Sequence, residues 1–255
     1  MDSRAVAIWV LCIRVTRGLQ ARYAEGRIDV GVEIYSKRLM INRCYVIKDQ
    51  GCVMVDAGPA KSEPAIEAWL GEIGIGPEEL QLIVLTHGHF DHVGAALGVK
   101  EITGAKIAIH EDDQDALESG SMAWPSGVTT WGRIARTVLG PLVKAMLQFD
   151  ETPADVVLGD EGLSLAEYGI QGEVIHTPGH SPGSVSVLLE TGDAFVGCMA
   201  HNALPFRLRP GLPIFADDLP RLRESWRPLL ERGAETIYPA HGDPFPAEVI
   251  RKALA

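Results

Sequence analysis

Three histidines and an aspartate fall within six consecutive positions, in the stretch H-G-H-F-D-H at residues 87–92. The uncharged apolar run at residues 82–85 precedes them and predicts a buried strand. Such a strand would deliver these side chains to a sheet edge, where Gly88 permits a tight turn. Imidazole and carboxylate groups are ligands of zinc and iron. The pattern therefore predicts a metal site at this edge. Its four ligand-type side chains are His87, His89, Asp91 and His92.

Strands and helices are expected on both sides of this stretch. In the first half, the pattern predicts strands over residues 28–35, 44–47, 52–56, 82–85 and 106–109, and helices over 64–73, over 93–102 and from about 110 onward. In the second half, it predicts strands over 172–176, 184–189, 194–197 and 236–238, and a helix over 221–232. Residues 131–147 carry a helical pattern that Gly140-Pro141 interrupts. Two strand-rich halves with helices outside predict an α/β fold with two sheets packed face to face.

The composition of the chain narrows its possible binding partners and its cellular location. The 255 residues are 46% hydrophobic, and 23 basic against 34 acidic residues give a net charge of −11. This acidic balance disfavours a nucleic-acid partner, and the apolar run 5–13 is too short to span a membrane. The four cysteines form no C-x-x-C pair, which favours a reducing, cytoplasmic location. We expect one domain over residues 1–255, with 1–22 as an N-terminal extension. We expect a small-molecule substrate. Both a monomer and a homodimer stay open.

Four stretches resemble one known family. T-H-G-H-F-D-H at 86–92 is similar to the T-H-x-H-x-D-H signature of the metallo-β-lactamase superfamily. V-M-V-D-A-G-P at 53–59, H-T-P-G-H-S-P-G-S at 176–184 and Y-P-A-H-G at 238–242 resemble other segments of that family. The resemblance extends from about residue 28 to residue 245. It implies a four-layer αβ/βα sandwich of two mixed β-sheets with helices outside, and a binuclear metal centre at one sheet edge.

The same resemblance implies a set of ligands for two metal ions. One ion would be held by His87, His89 and His180, and the second by Asp91, His92 and His241. Two Zn²⁺ ions are expected, with iron as the alternative. Each distant histidine closes a predicted strand, so its arrival at the same edge is plausible. Asp56 follows another strand and is expected to accept the second N–H of a ligand imidazole.

Position 198 departs from the family pattern. The resemblance leads us to expect an aspartate that bridges the two metals after the strand at 194–197, but the chain has Cys198 there. We expect Cys198 to be a metal ligand because neighbouring ligands would lower the pKa of its thiol. The alternative is a small buried thiol without a chemical role. A cysteine ligand also favours zinc over iron.

Further residues are candidates for contact with substrate. They are Phe90, His201, Asn202 and Arg207. Residues 202–215 form a long irregular segment beside Cys198, and such segments are often functional. The apolar segment 121–149 could cover the metals or pack as an outer helix. His110 and His176 are expected to have structural roles.

The resemblance implies a hydrolase in which a metal-activated hydroxide attacks a carboxylic ester, a thioester or a lactone, with Asp91 as the catalytic carboxylate. Alternatives are a mononuclear-iron sulfur (persulfide) dioxygenase, a β-lactam or phosphodiester hydrolase, and a non-catalytic metal-binding protein. The stretch G-H-S-P-G at 179–183 also matches the G-x-S-x-G elbow of serine hydrolases. We reject that match because Pro182 has no N–H for an oxyanion hole and a strand-like segment follows.

Overall fold

The computed structural model describes residues 31–122, 125–143 and 148–255. The expected extension over 1–22 and the first residues of the predicted strand, 28–30, lie outside the described residues. Within the described part of the chain, no helix combines the length and the apolar character that a membrane span requires.

The first sheet comes from the first 158 residues. Its strands are β1 (Glu33–Leu39), β2 (Asn42–Lys48), β3 (Cys52–Val55), β4 (Leu82–Val84), β5 (Lys106–His110) and β6 (Val156–Leu158). Their order in the sheet follows the chain. β1, β2 and β3 pair antiparallel, whereas β3 to β6 are parallel. The segments that follow β3, β4 and β5 therefore leave the sheet at the same edge, where sites in parallel sheets commonly form.

The rest of the described chain supplies a second sheet and a short ribbon. These strands are β7 (Leu163–Ser164), β8 (Gly172–His176), β9 (Val185–Leu189), β10 (Asp193–Phe195), β11 (His201–Asn202), β12 (Thr236–Tyr238), β13 (His241–Gly242) and β14 (Phe245–Pro246). The second sheet has the order β14-β12-β10-β9-β8-β7, and β11 pairs with β13 in parallel as a separate ribbon. The second sheet is mixed because β10 and β12 are parallel while its other neighbours are antiparallel.

Helices flank the two sheets. They are α1 (Glu63–Glu72), α2 (Phe90–Val93), α3 (Ala96–Thr103), α4 (Glu111–Glu118), α5 (Thr130–Val143), α6 (Leu219–Glu231) and α7 (Glu248–Leu254). Of these, α1 and α6 pack on the outer faces of the sheets. Short 3-10 turns lie at Pro77–Glu79, Ala166–Tyr168 and Gly197–Met199.

Alternating side chains on the strands build the layers. Val53 and Val55 of β3 lie in the apolar layer between the sheets, together with Val187 of β9. Met54, which stands between them in sequence, lies in the layer that contains Trp69 of α1. This alternation is what the period of two residues in a strand requires when both faces are covered.

The second sheet repeats the arrangement. Phe195 of β10 faces the layer between the sheets, and its neighbour Ala194 packs in the layer that contains Trp226 of α6. The order of layers is thus helix, sheet, sheet and helix, which confirms the predicted four-layer αβ/βα sandwich.

Two helices differ from their predicted course along the chain. The helix predicted over 93–102 is divided, because α2 ends at Val93 and α3 begins at Ala96. A Cβ on Gly94 would lie 2.3 Å from the backbone nitrogen of Ala60, so the close approach of two segments requires glycine at this break. Gly140-Pro141 does not interrupt α5 as predicted, since the helix runs on to Val143.

Candidate metal centre

Asp56 and Thr86, which follow the neighbouring strands β3 and β4, anchor two histidines of the H-x-H-x-D-H motif. The Thr86 backbone nitrogen and hydroxyl donate to Asp56 Oδ1 at 2.8 and 2.9 Å. Because the Thr86 hydroxyl hydrogen is committed to Asp56, its oxygen accepts from His87 Nδ1 at 3.0 Å. His92 Nδ1 donates to Asp56 Oδ2 at 2.8 Å. Both histidines therefore direct the lone pair of Nε2 away from these anchors.

Two histidines from the second half of the chain are anchored in the same way. His180 Nδ1 donates to the Phe215 carbonyl at 3.0 Å, and His241 Nδ1 donates to the Ile41 carbonyl at 2.8 Å. A carbonyl oxygen accepts only, so Nδ1 carries the hydrogen and Nε2 carries the lone pair. Four histidines thus share one tautomer, which is the state that metal binding through Nε2 requires.

These histidines converge on Cys198 in two overlapping groups. His87, His180 and Cys198 offer ligand atoms that all lie within 4.8 Å of one another, and His92, Cys198 and His241 do the same. Cys198 Sγ lies 3.3 Å from His92 Nε2. The thiol belongs to both groups and so lies between the two candidate metal positions.

The other two predicted ligands lie beside these groups. His89 Nδ1 is 3.1 Å from His180 Nε2. Asp91 Oδ2 is 3.4 Å from His241 Nε2 and 3.8 Å from His92 Nε2. The structure thus brings all seven predicted ligands together, and their division between two metals stays a prediction.

The electrostatics centre on a buried thiolate. Burial alone would raise the pKa of the Cys198 thiol, but His241, His92 and other nearby imidazoles hold it well below its ordinary value of 9.0. Burial lowers the pKa of His92, yet the charges of Asp56 and Cys198 raise it to a net value well above the ordinary 6.5. Negative groups in this interior therefore require buried positive charge, which protons or metal cations can supply.

His87 and His89 respond in the opposite direction. Burial lowers the pKa of both side chains well below 6.5, and neighbouring imidazoles lower it further. Both rings are therefore neutral near pH 7 and keep a lone pair for coordination.

The donor set fits a resident metal. His87 Nε2 is buried and has no hydrogen-bond partner among the described residues. Such an unpaired group costs about 1–3 kcal/mol, which a metal–nitrogen bond would offset. Imidazole, carboxylate and thiolate groups together form a set that divalent transition metals bind, and the buried clusters support divalent metal use.

A cavity of about 170 Å³ opens beside the centre. Its polar lining consists of ligand candidates and one further histidine, namely His89, Asp91, His180, Cys198, His201 and His241. Its other walls are apolar and comprise Ile41, Phe90, Met122, Pro125, Trp131, Ala135, Pro205, Phe206, Ile214 and Phe215. A mostly apolar cavity with a few convergent polar groups is typical of a small-molecule site.

The candidate substrate contacts divide into two pairs. Phe90 and His201 line the cavity. Asn202 and Arg207 do not line it: Asn202 Nδ2 donates to the Asp243 carbonyl at 2.9 Å, and the Arg207 guanidinium donates to the carbonyls of Arg209 and Leu212 at 3.2 and 2.7 Å. The expected contact of Asn202 and Arg207 with substrate therefore finds no support in their placement.

His201 has no hydrogen-bond partner of its own. The residue is 1% exposed, and neither ring nitrogen makes a hydrogen bond to another residue that the structure describes. Burial lowers its pKa to about 4, against the opposing effect of Cys198. Its ring packs 4.8 Å from Phe206 and 5.1 Å from His241, measured between centroids. A neutral imidazole with an unused N–H thus lies next to the ligands.

The sequence did not predict the residues that act through a backbone carbonyl or that line the wall of the cavity. The carbonyls of Ile41 and Phe215 orient two ligand histidines, and Ile214, Pro205 and Phe206 complete the cavity. A carbonyl role leaves no signal in residue type. The hints for the wall were the long irregular segment at 202–215 and the apolar segment at 121–149, of which Met122, Pro125, Trp131 and Ala135 line the cavity.

Ser181 is engaged in a structural network. Its hydroxyl donates to Asp113 Oδ2 at 2.6 Å, and the Asp113 carboxylate also accepts from the backbone nitrogens of Gly88 and Gly183. The hydrogen bonds found for its hydroxyl go to a carboxylate and to Ser184 rather than to a histidine, so the structure gives no support for a serine nucleophile.

Comparison with known proteins adds to this geometry. A family model described as the Metallo-beta-lactamase superfamily matches residues 39–241. The chain is 28% identical over 159 residues to the probable metallo-hydrolase YqgX of Bacillus subtilis, which covers 62% of this chain and 64% of that protein. It is 28% identical over 162 residues to the hydroxyacylglutathione hydrolase GloC of Haemophilus influenzae, and this match covers 62% of this chain and 66% of that protein. These matches span less than two thirds of either relative.

The solved structures agree on the fold. The BLEG-1 B3 metallo-beta-lactamase superposes with a TM-score of 0.64 at 22% identity, covering 86% of this chain and 96% of that one.

Proposed function

The chain belongs to the metallo-β-lactamase superfamily, and on that premise we propose that it is a metal-dependent hydrolase that cleaves a carboxylic ester, a thioester or a lactone. The observation that carries the proposal is the placement of Cys198 within both groups of convergent ligands. Relatives named metallo-hydrolase and hydroxyacylglutathione hydrolase support metal-dependent hydrolysis, and the second name supports the thioester arm.

We propose a binuclear zinc centre. His87, His89 and His180 would hold one ion, and Asp91, His92 and His241 the other, with Cys198 beside both. A thiolate ligand favours zinc over harder cations. It also disfavours the iron sites that use only nitrogen and oxygen ligands.

When bound, two such cations would lower the pKa of a water molecule and stabilise negative charge on the substrate oxygen. The protein groups have separate tasks. Asp91 is 7% exposed and faces His241, so its carboxylate can orient a water molecule and accept its proton. Asp56 and the carbonyls of Ile41 and Phe215 keep the ligand imidazoles in one tautomer. The apolar walls exclude bulk water from the reacting groups.

The test is metal analysis of protein purified without added metal, followed by assays on esters, thioesters, lactones, β-lactams and phosphodiesters. We expect two zinc ions per chain and hydrolysis of the ester-type substrates that a chelator abolishes and zinc restores. Activity that survives chelation but is lost to a serine-reactive reagent would contradict the proposal. One iron per chain with oxygen uptake on a persulfide would contradict it in favour of a dioxygenase.

A further inference from the structure

We propose that the cavity beside the metal centre selects uncharged substrates with a compact apolar acyl group, whose carbonyl end meets His201. This inference rests on the proposed function and deepens it, because it names the substrate class.

The walls of the cavity are built for an apolar group. Trp131 and Ala135 of α5 form one side. Phe206 and Phe215, from the segment between β11 and α6, form another. Ala135 and Phe215 pack in one apolar cluster, with Phe206 against it, so these walls support each other. Burial of an apolar group against them is favourable in proportion to the area removed from water.

Away from its ligand end, the cavity offers a substrate anion no cationic partner among the described residues. Among the described residues that line it, none is lysine or arginine. Arg207, in the same segment as the lining residues Pro205 and Phe206, donates its guanidinium to two backbone carbonyls. Asp91 adds an acidic group inside the cavity. A carboxylate at the far end of the acyl group, against the apolar walls, would therefore lose its hydration without gaining a counter-charge, which is costly.

The polar groups lie at one end of the cavity. His201 is 1% exposed, lines the cavity and has both ring nitrogens without a hydrogen-bond partner among the described residues. An imidazole carries at least one N–H donor in either protonation state. A carbonyl or ester oxygen at this end would satisfy the donor, while the acyl chain lies against the aromatic wall. The cavity thus orients a substrate that is polar at one end and apolar at the other.

The size of the cavity limits the acyl group. Its volume of about 170 Å³ is below the roughly 300–1,000 Å³ of pockets for drug-sized ligands. We therefore expect a short chain or small ring to fill it, with longer chains extending past Trp131, a lining side chain that is 52% exposed.

The experiment uses the zinc-loaded full chain and p-nitrophenyl esters of acetate, butyrate and hexanoate, together with the glutarate monoester as an anionic counterpart. We expect kcat/KM to rise about fourfold for each methylene until the cavity is full, since a buried CH₂ contributes about 0.8 kcal/mol. The glutarate monoester should be slower than butyrate by about 100-fold, the order of cost for an unpaired buried polar group.

Two matched pairs of variants test the walls. Trp131→Arg should lower kcat/KM for butyrate at least tenfold and narrow the gap to glutarate, whereas Val138→Arg, on the same helix but outside the cavity and 61% exposed, should change neither. Phe206→Arg and Leu208→Arg form the second pair, since Leu208 is 84% exposed in the same loop. Because Trp131 is half exposed, its variant should fold even if Phe206→Arg does not.

The outcomes separate the two levels of the proposal. Hydrolysis with equal or greater preference for glutarate would overturn this inference and leave the hydrolase intact. Unchanged selectivity in Trp131→Arg would overturn it as well. Absence of hydrolysis for esters, thioesters and lactones alike, in zinc-loaded protein, would overturn both.

Discussion

Two groups of histidines lie at strand ends in this molecule, and they differ in how their ring nitrogens are used. At the metal centre, His87, His92, His180 and His241 donate Nδ1 to fixed acceptors and present Nε2 to a common interior. The second group, which we call the His110–His176 pair, shares the exposed carboxylate of Asp160. Its ligand atoms also lie within 4.8 Å of one another, so proximity alone does not distinguish the groups.

The nitrogens of the His110–His176 pair are directed elsewhere. His110 Nδ1 accepts from the Asp112 backbone nitrogen at 3.2 Å, and His176 Nε2 donates to the Pro182 carbonyl at 2.9 Å. The two rings stack with centroids 3.9 Å apart and 17° between their planes. Because His110 Nδ1 uses its lone pair to accept from Asp112, its Nε2 carries the hydrogen and faces Asp160, so this ring keeps no lone pair for a metal. A metal centre requires Nε2 lone pairs that converge on one point while hydrogen bonds at Nδ1 hold each ring in place.

The largest expected difference in zinc content and activity is between variants of His180 and His176, which are four residues apart. His180→Ala removes a convergent ligand, so bound zinc should fall below two per chain. Activity should fall by more than the roughly 100-fold that loss of a group supporting a ligand costs. His176→Ala should keep two zinc ions and activity within about twofold of wild type. Metal analysis and kcat/KM on one ester check both variants. Loss of metal in His176→Ala would break the distinction between the groups.

Cys198→Ser tests whether the thiol is shared. Because a serine hydroxyl is a poor replacement for a thiolate, we expect loss of at least one zinc ion per chain. The matched control is Cys52→Ala, since burial raises the pKa of the Cys52 thiol to about 11 and keeps it protonated. Two zinc ions retained in Cys198→Ser would show that the cysteine is not a ligand.

Asp56→Asn should have a smaller effect on the same centre. The variant weakens the hydrogen bond that holds His92 in its tautomer, so zinc affinity should fall about 10- to 100-fold. Competition with a chelator of known affinity measures the change. An unchanged affinity would mean that the carboxylate only caps the turn after β3.

The smallest effect concerns acid sensitivity at the His110–His176 pair. Burial lowers the pKa of His110, with help from His176, so its protonation favours the unfolded chain. The stability that neutral His110 contributes is therefore present above its ordinary pKa near 6.5 and is lost as pH falls below that value. His110→Asn should lessen the drop in Tm between pH 7 and 5.5 by less than about 4 °C. Equal drops in both proteins, at equal zinc content, would contradict this assignment.

Local pattern predicted the longer elements well. The strands predicted over 44–47 and 52–56 are confirmed as the antiparallel pair β2 and β3, and α1 and α6 lie within two residues of their predicted bounds. The three-residue strands β4, β10 and β12 were predicted, but β6 and the two-residue strands β7, β11, β13 and β14 were not, because so few positions cannot show an alternating pattern. Their pairing depends on partners far away in sequence.

The sequence by itself determined which side chains could hold metal, because histidines, Asp91 and Cys198 are recognisable by type and by position at strand ends. It also determined the layer order, since buried strands and amphipathic helices have different periods. Only the tertiary structure decided that Cys198 lies within both ligand groups, that His201 keeps its nitrogens unpaired, and that Arg207 turns away from the cavity. These are distances between atoms many residues apart, set by how the sheets and the 202–215 segment pack, and no local pattern encodes them.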